Sequence, residues 1–100
     1  MIRHTVCFTL VHEAGSAEEV AFLTEGAADL AAIPGVHDFE VARQVGKGPH
    51  LFQFAMSFDG RAEYDAYNVH PVHQEFVATR WATEVADFTE FDFVPYERIS

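Results

Sequence analysis

The run Tyr67-Asn68-Val69-His70-Pro71-Val72-His73 brings a phenol and two imidazoles into one turn and the start of the segment after it. Nowhere else in the chain do groups able to move protons near neutral pH stand so close, so chemistry performed here is expected to pass through this run. His73 follows Pro71 by two residues, in the first turn of the next helical segment, where the helix dipole disfavours imidazolium and keeps the ring neutral. A neutral imidazole beside a phenol can take a proton from an activated methylene while the phenol donates to the carbonyl oxygen as charge develops. The bland alternative is a hydrogen-bonded Tyr67–His73 pair that fixes the helix break. His70 precedes the proline, is biased to extended backbone, and is expected to shape the turn.

A third imidazole, His4, alternates with Ile2, Val6, Phe8 and Leu10 on a strand, either as a core histidine or as an orienting group for a site. His4, His70 and His73 with Glu75 could ligate a divalent metal, but the spacing is common and no metal is expected. Arg43 is expected at an exposed rim, with Glu40, Glu90 or Asp92 as its partner were it buried. Paired carboxylates, a nucleophile elbow, a phosphate-cradling glycine loop and a zinc cysteine set are all missing from the sequence.

These residues need elements to hold them. After the first strand, Ser16 with Glu19 three residues later marks a helix start, and Val20, Leu23, Ala27 and Leu30 form an apolar stripe over 17–32. Pro34-Gly35 ends that helix, and Phe39, Val41 and Val45 alternate in a second strand. Gly46-Lys47-Gly48-Pro49 turns into a third strand with Phe52, Phe54, Met56 and Phe58 on one side, so the two should pair as an antiparallel hairpin. A short helix over 61–67, a second helical stretch over 72–85 and a closing strand over 88–96 complete the pattern. The order strand, helix, strand, strand, helix, strand predicts an α+β, ferredoxin-like fold with an antiparallel sheet and helices on one face. The 100 residues read as one domain, 1–100.

Composition bounds the partners. Sixteen acidic residues against six basic ones give a net charge of −10, which repels phosphate backbones and anionic lipid, so no nucleic acid is expected. The hydrophobic share is 49%, with ten Phe, and this surplus suggests that part of the apolar surface meets a ligand or a second copy. The lone Cys7 reads as a packed thiol in a reducing compartment. Without a signal-peptide pattern or a long apolar run, the expectation is a cytoplasmic protein with no membrane span.

The opening Ile2-Arg3-His4, the Ala32-Ile33-Pro34-Gly35-Val36 turn and above all Tyr67-x-x-His70-Pro71-x-His73-x-x-Phe76 resemble the stress-responsive A/B barrel domain family over essentially the whole chain. That resemblance implies a ferredoxin-like protomer that pairs with a second copy so that two sheets enclose a dimeric α/β barrel. The family also resembles polyketide cyclases of the olivetolic acid cyclase type, in which a Tyr and a His act on a poly-β-keto thioester without a cofactor. Carried onto this chain, Tyr67 and His73 are the candidate catalytic residues and His4 a pocket residue. Leu23, Gly26, Phe52, Phe54 and Phe76 are the expected substrate-binding wall, with the small run Gly26-Ala27-Ala28 departing from a bulkier pattern. Three function classes follow: a cofactor-independent lyase or isomerase acting on a carbonyl compound, a binder of a hydrophobic metabolite, and a stress-induced structural dimer. An open cavity reaching both Tyr67 and His73 separates the first from the third, whereas Phe54, Phe76 or Trp81 plugging that space favours the third.

Overall fold

The computed structural model describes residues 1–96. Strand β1 (Ile2–Leu10) leads into helix α1 (Ala17–Ala31), then β2 (His37–Arg43), β3 (Phe52–Phe58), α2 (Arg61–Val69) and α3 (Pro71–Phe76). A π-helical turn (Val77–Trp81) and one last helical turn (Ala82–Glu84) continue α3 and deliver the chain to β4 (Val85–Phe93). The sheet order is β2-β3-β1-β4 with every neighbouring pair antiparallel, which is the ferredoxin-like arrangement that the element order predicts.

Alternation sorts the side chains. Ile2, His4, Val6, Phe8 and Leu10 of β1 and Phe52, Phe54, Met56 and Phe58 of β3 face the helices and are buried. Phe8 and Phe22 approach at 5.9 Å between ring centres and Phe8 and Trp81 at 5.0 Å, so aromatic rings fill most of the core. The buried positions of α1 are Phe22, Gly26 and Leu30, whereas Val20 is 56% exposed. The stripe read from Val20 is therefore displaced, because the large Phe22 ring claims the core-facing side. Ser16 caps α1 by accepting from the Glu19 amide at 3.2 Å.

Four local departures stand out. Asp38 takes a left-handed backbone with φ of 50°, and the β2–β3 register shifts around it; Asp tolerates this region better than most residues. Arg3 donates to the Asp38 carbonyl at 2.8 Å and pairs with Glu40, pinning that bulge. Val45 lies beyond β2 and is 90% exposed. In the π turn the Ala82 amide bonds the Val77 carbonyl, five residues back, and the wider turn swings Trp81 against Phe8, Phe22 and Phe76. Strand β4 begins at Val85 and ends at Phe93, earlier at both ends than its sequence pattern, since pairing with β1 continues to Leu10.

Among the described residues no helix is long and apolar enough to cross a membrane.

Candidate active site

Three sheet strands, Leu30 of α1 and the broken helix border a cavity of about 220 Å³. At ~30 Å³ per water that is space for roughly seven water-sized groups. His4, Val6, Phe54 and Met56 rise from β1 and β3, while Tyr67 and Asn68 come from α2 and His73 and Phe76 from α3. Val77 and Trp81 of the π turn and Phe88 and Glu90 of β4 complete most of the wall. Phe54, Phe76 and Trp81 line the space without filling it.

The helix break sets the geometry. His70 has extended backbone with ψ of 136°, as a residue before proline should, and its Nδ1 accepts from the Val72 amide at 3.1 Å. His70 is thus the cap of α3. The redirected chain carries His73 over Tyr67, with ring centres 4.4 Å apart and planes inclined by 53°. The two are not hydrogen-bonded to each other: His73 Nδ1–H donates to the Asn68 carbonyl at 3.2 Å, which fixes the tautomer and leaves Nε2 with a free lone pair. Burial pushes the His73 pKa below the ordinary imidazole value, the Asn68 bond opposes this, His4 lowers it and Glu90 raises it. The net result is a neutral ring at pH 7, with burial rather than the helix dipole as the leading cause.

Tyr67 is only 2% exposed, and its hydroxyl has no hydrogen-bond partner among the described residues. Every fully enclosed side-chain N or O among those residues does have a partner, so this hydroxyl opens onto the cavity it lines. Burial, then the neighbouring Tyr64 and Glu90, raise its pKa far above that of free phenol. Tyr67 therefore stays protonated and is a standing hydrogen-bond donor.

His4 is held from behind. Its Nδ1–H donates to Asp92 at 2.6 Å, and the Tyr64 hydroxyl donates to both carboxylate oxygens at 3.0 Å while lying 2.9 Å from that same ring nitrogen. Burial, followed by the Asp92 hydrogen bond, keeps Tyr64 protonated. With Nδ1 committed, Nε2 of His4 is the ring atom left for the cavity. Tyr64 and Asp92 were missed as site residues by sequence reasoning. The available signals were weak: Tyr64 stands three residues before Tyr67 on the same helix face, and Asp92 pairs with His4 across β1 and β4.

Of the expected residues, Tyr67, His73, His4, Phe54 and Phe76 meet at this cavity. Leu23 packs against the core instead. Gly26 is the seat of Phe76, since a Cβ there would lie 3.0 Å from that ring. Phe52 borders a separate hollow of about 410 Å³ beside the β2–β3 turn, along with Arg43, Lys47 and His50. Arg43 is exposed, at the rim where its sequence position puts it. Among the described residues no group of three or more His, Cys, Asp or Glu is placed to hold a metal ion.

The chemistry available is proton transfer between a neutral imidazole and a carbon acid, beside two further groups able to hydrogen-bond an oxygen.

Comparison with known proteins fits this architecture. A structure of a Dabb family protein with a ferredoxin-like fold from Mesorhizobium loti is 47% identical, covering 96% of this chain and 97% of that one, with a TM-score of 0.94. A dimeric ferredoxin-like protein of unknown function from Thermobifida fusca is 25% identical over 94% of this chain and 90% of its own, with a TM-score of 0.73. The hydroxynitrile lyase from Passiflora edulis shares the fold at 13% identity, covering 99% and 96% of the two chains, with a TM-score of 0.78. No curated protein matches the chain. The family model for the stress responsive A/B barrel domain (Dabb) spans residues 2–95, and the chain belongs to that family.

Proposed function

We propose that this protein is a homodimer whose helix-side cavity performs cofactor-independent acid–base chemistry on a small carbonyl compound, as a lyase, an isomerase or a cyclase of polyketide type. The observation that carries the reading is the convergence of three groups on one cavity: His73 with Nε2 free, the unpartnered Tyr67 hydroxyl, and His4 locked by Asp92. His73 Nε2 takes the proton from the carbon next to the carbonyl; the C–H electron pair becomes a carbon–carbon double bond and the carbonyl π pair moves onto the oxygen, giving an enolate. Tyr67 donates a hydrogen bond to that oxygen as it gains charge, and His4 orients the compound from the opposite wall. The enolate carbon then attacks a second carbonyl of the same molecule, whose oxygen takes the proton held by His73, or is reprotonated at carbon by His73.

Size limits what enters. A cavity of about 220 Å³ holds the reacting segment of a polyketide and leaves any long carrier outside. The dimer is supported by the sheet face that carries no helix, where Phe91 and Phe93 stack at 6.1 Å and stay 43% and 55% exposed, and by dimeric neighbours of the same fold.

The test is exchange of the α-hydrogens of cyclohexanone in heavy water, followed by proton NMR. Wild-type protein should accelerate exchange above buffer, with His73→Ala losing about 10²–10⁴-fold of the protein-catalysed rate and Tyr67→Phe a smaller factor. Binding of the ketone with no exchange above buffer would leave the binder reading in its place.

A further inference from the structure

Glu90 lies on the cavity wall as its one carboxylate among the described residues, directly across the β1–β4 pairing from Val6. Among those residues it forms no ion pair, and none of the described Lys or Arg residues lines the cavity. The described cations are committed elsewhere. Arg3 pairs with Glu40 on the other sheet face, Arg80 joins Glu25 and Glu84, and Arg61 lies over the Tyr64 ring at 5.3 Å. Arg43 and Lys47 border the hollow at the β2–β3 turn. The nearest histidines do not compensate, because His73 is neutral and Asp92 already takes the Nδ1–H of His4. Apart from the neutral Tyr67 and Asn68, the remaining walls, including Phe54, Phe76, Trp81 and Phe88, are apolar.

From this arrangement we infer that the cavity takes uncharged carbonyl compounds and rejects their carboxylate analogues, with Glu90 as the residue that sets the preference. The inference rests on the cavity being the substrate site. An anionic guest would exchange its hydration for a like charge and apolar rings, with no fixed positive charge among the described residues to pair with, while the whole chain at −10 opposes its approach. An amide or ketone of the same shape incurs none of that cost. Glu90 also reaches the reacting groups, raising the pKa of both Tyr67 and His73, so its field is felt where a guest would lie.

Trp81 is the chain's single tryptophan and lines the cavity, so its fluorescence reports occupancy there. Titration at pH 7 with acetoacetamide and with acetoacetate, which share a shape and differ by one charge, should give about tenfold tighter binding of the amide, the order expected for one like-charge contact at a partly exposed site. Glu90→Gln should shrink that ratio to about threefold or less by strengthening acetoacetate alone, and Glu90→Lys should reverse it. Equal binding of the two probes by wild type, or a ratio untouched by Glu90→Gln, overturns the inference while leaving the substrate-site reading in place. Silence of both probes into tens of millimolar, with circular dichroism showing folded protein, overturns both.

Discussion

The two faces of this sheet use the same strands for opposite purposes. On the helix side, rings from Phe8, Phe22, Phe54 and Phe76 pack densely yet leave a hollow where the free atoms of His4, Tyr67 and His73 remain available. On the other side, the β1 and β3 residues Thr5, Ala55 and Ser57 are small and well covered, and the exposed apolar surface is concentrated in Phe91 and Phe93. Residues one apart in sequence therefore belong to different tasks: Asp92 locks a histidine from the helix side while Phe91 and Phe93 point away from it. A one-residue slip of β4 would put the phenylalanines in the cavity and the carboxylates on the open face, destroying both.

That contrast can be broken from either side. Truncating the helix face should cost most: Phe54→Ala, at a position with no exposure, is expected to lower unfolding free energy by about 3–5 kcal/mol in urea titration, with the dimer lost only as a consequence of unfolding. Phe91→Asp on the open face should leave the circular dichroism spectrum and the single-chain fold intact while shifting sedimentation from dimer to monomer. A folded dimer of Phe91→Asp would remove that face from the assembly.

Asp92→Asn sharpens the comparison within one strand. The carboxamide no longer demands a proton from His4 Nδ1, so the ring loses its fixed tautomer, and catalysed ketone exchange should fall by about 10–100-fold with folding retained. An unchanged exchange rate would make the Asp92–His4–Tyr64 cluster purely structural.

The sequence made the strand and helix order legible because period-two alternation in β1 and β3 is nearly uninterrupted and because Pro34-Gly35 and Pro71 punctuate the helices. It made Tyr67, His73 and His4 legible through residue type and spacing. It did not reveal the displaced face of α1, since Val20 and Phe22 are both apolar and only packing decides between them. The bulge at Asp38 and the π turn before Ala82 are likewise set by tertiary fit, against Arg3 in one case and around Trp81 in the other. Asp92 stayed hidden because its link to His4 depends on strand register across 88 positions, and Tyr64 because its reach to the same ring, 60 positions away, depends on how α2 docks on the sheet; no local pattern encodes either.

Everything proposed for the cavity depends on His73 standing neutral with Nε2 open to it. Burial lowers its folded pKa, so the imidazolium form is disfavoured in the native state and enters only below the ordinary value of about 6.5. Two consequences share that sign: catalysed exchange falls as pH drops through the folded pKa, and stability falls as pH drops below about 6.5, where the unfolded chain takes up the proton first. The most direct measurement is a pH titration of the His73 ring by nitrogen-15 NMR. The prediction is the Nδ1–H tautomer at pH 7 with a midpoint below 6.5; an Nε2–H tautomer, or a midpoint at or above that value, would contradict it.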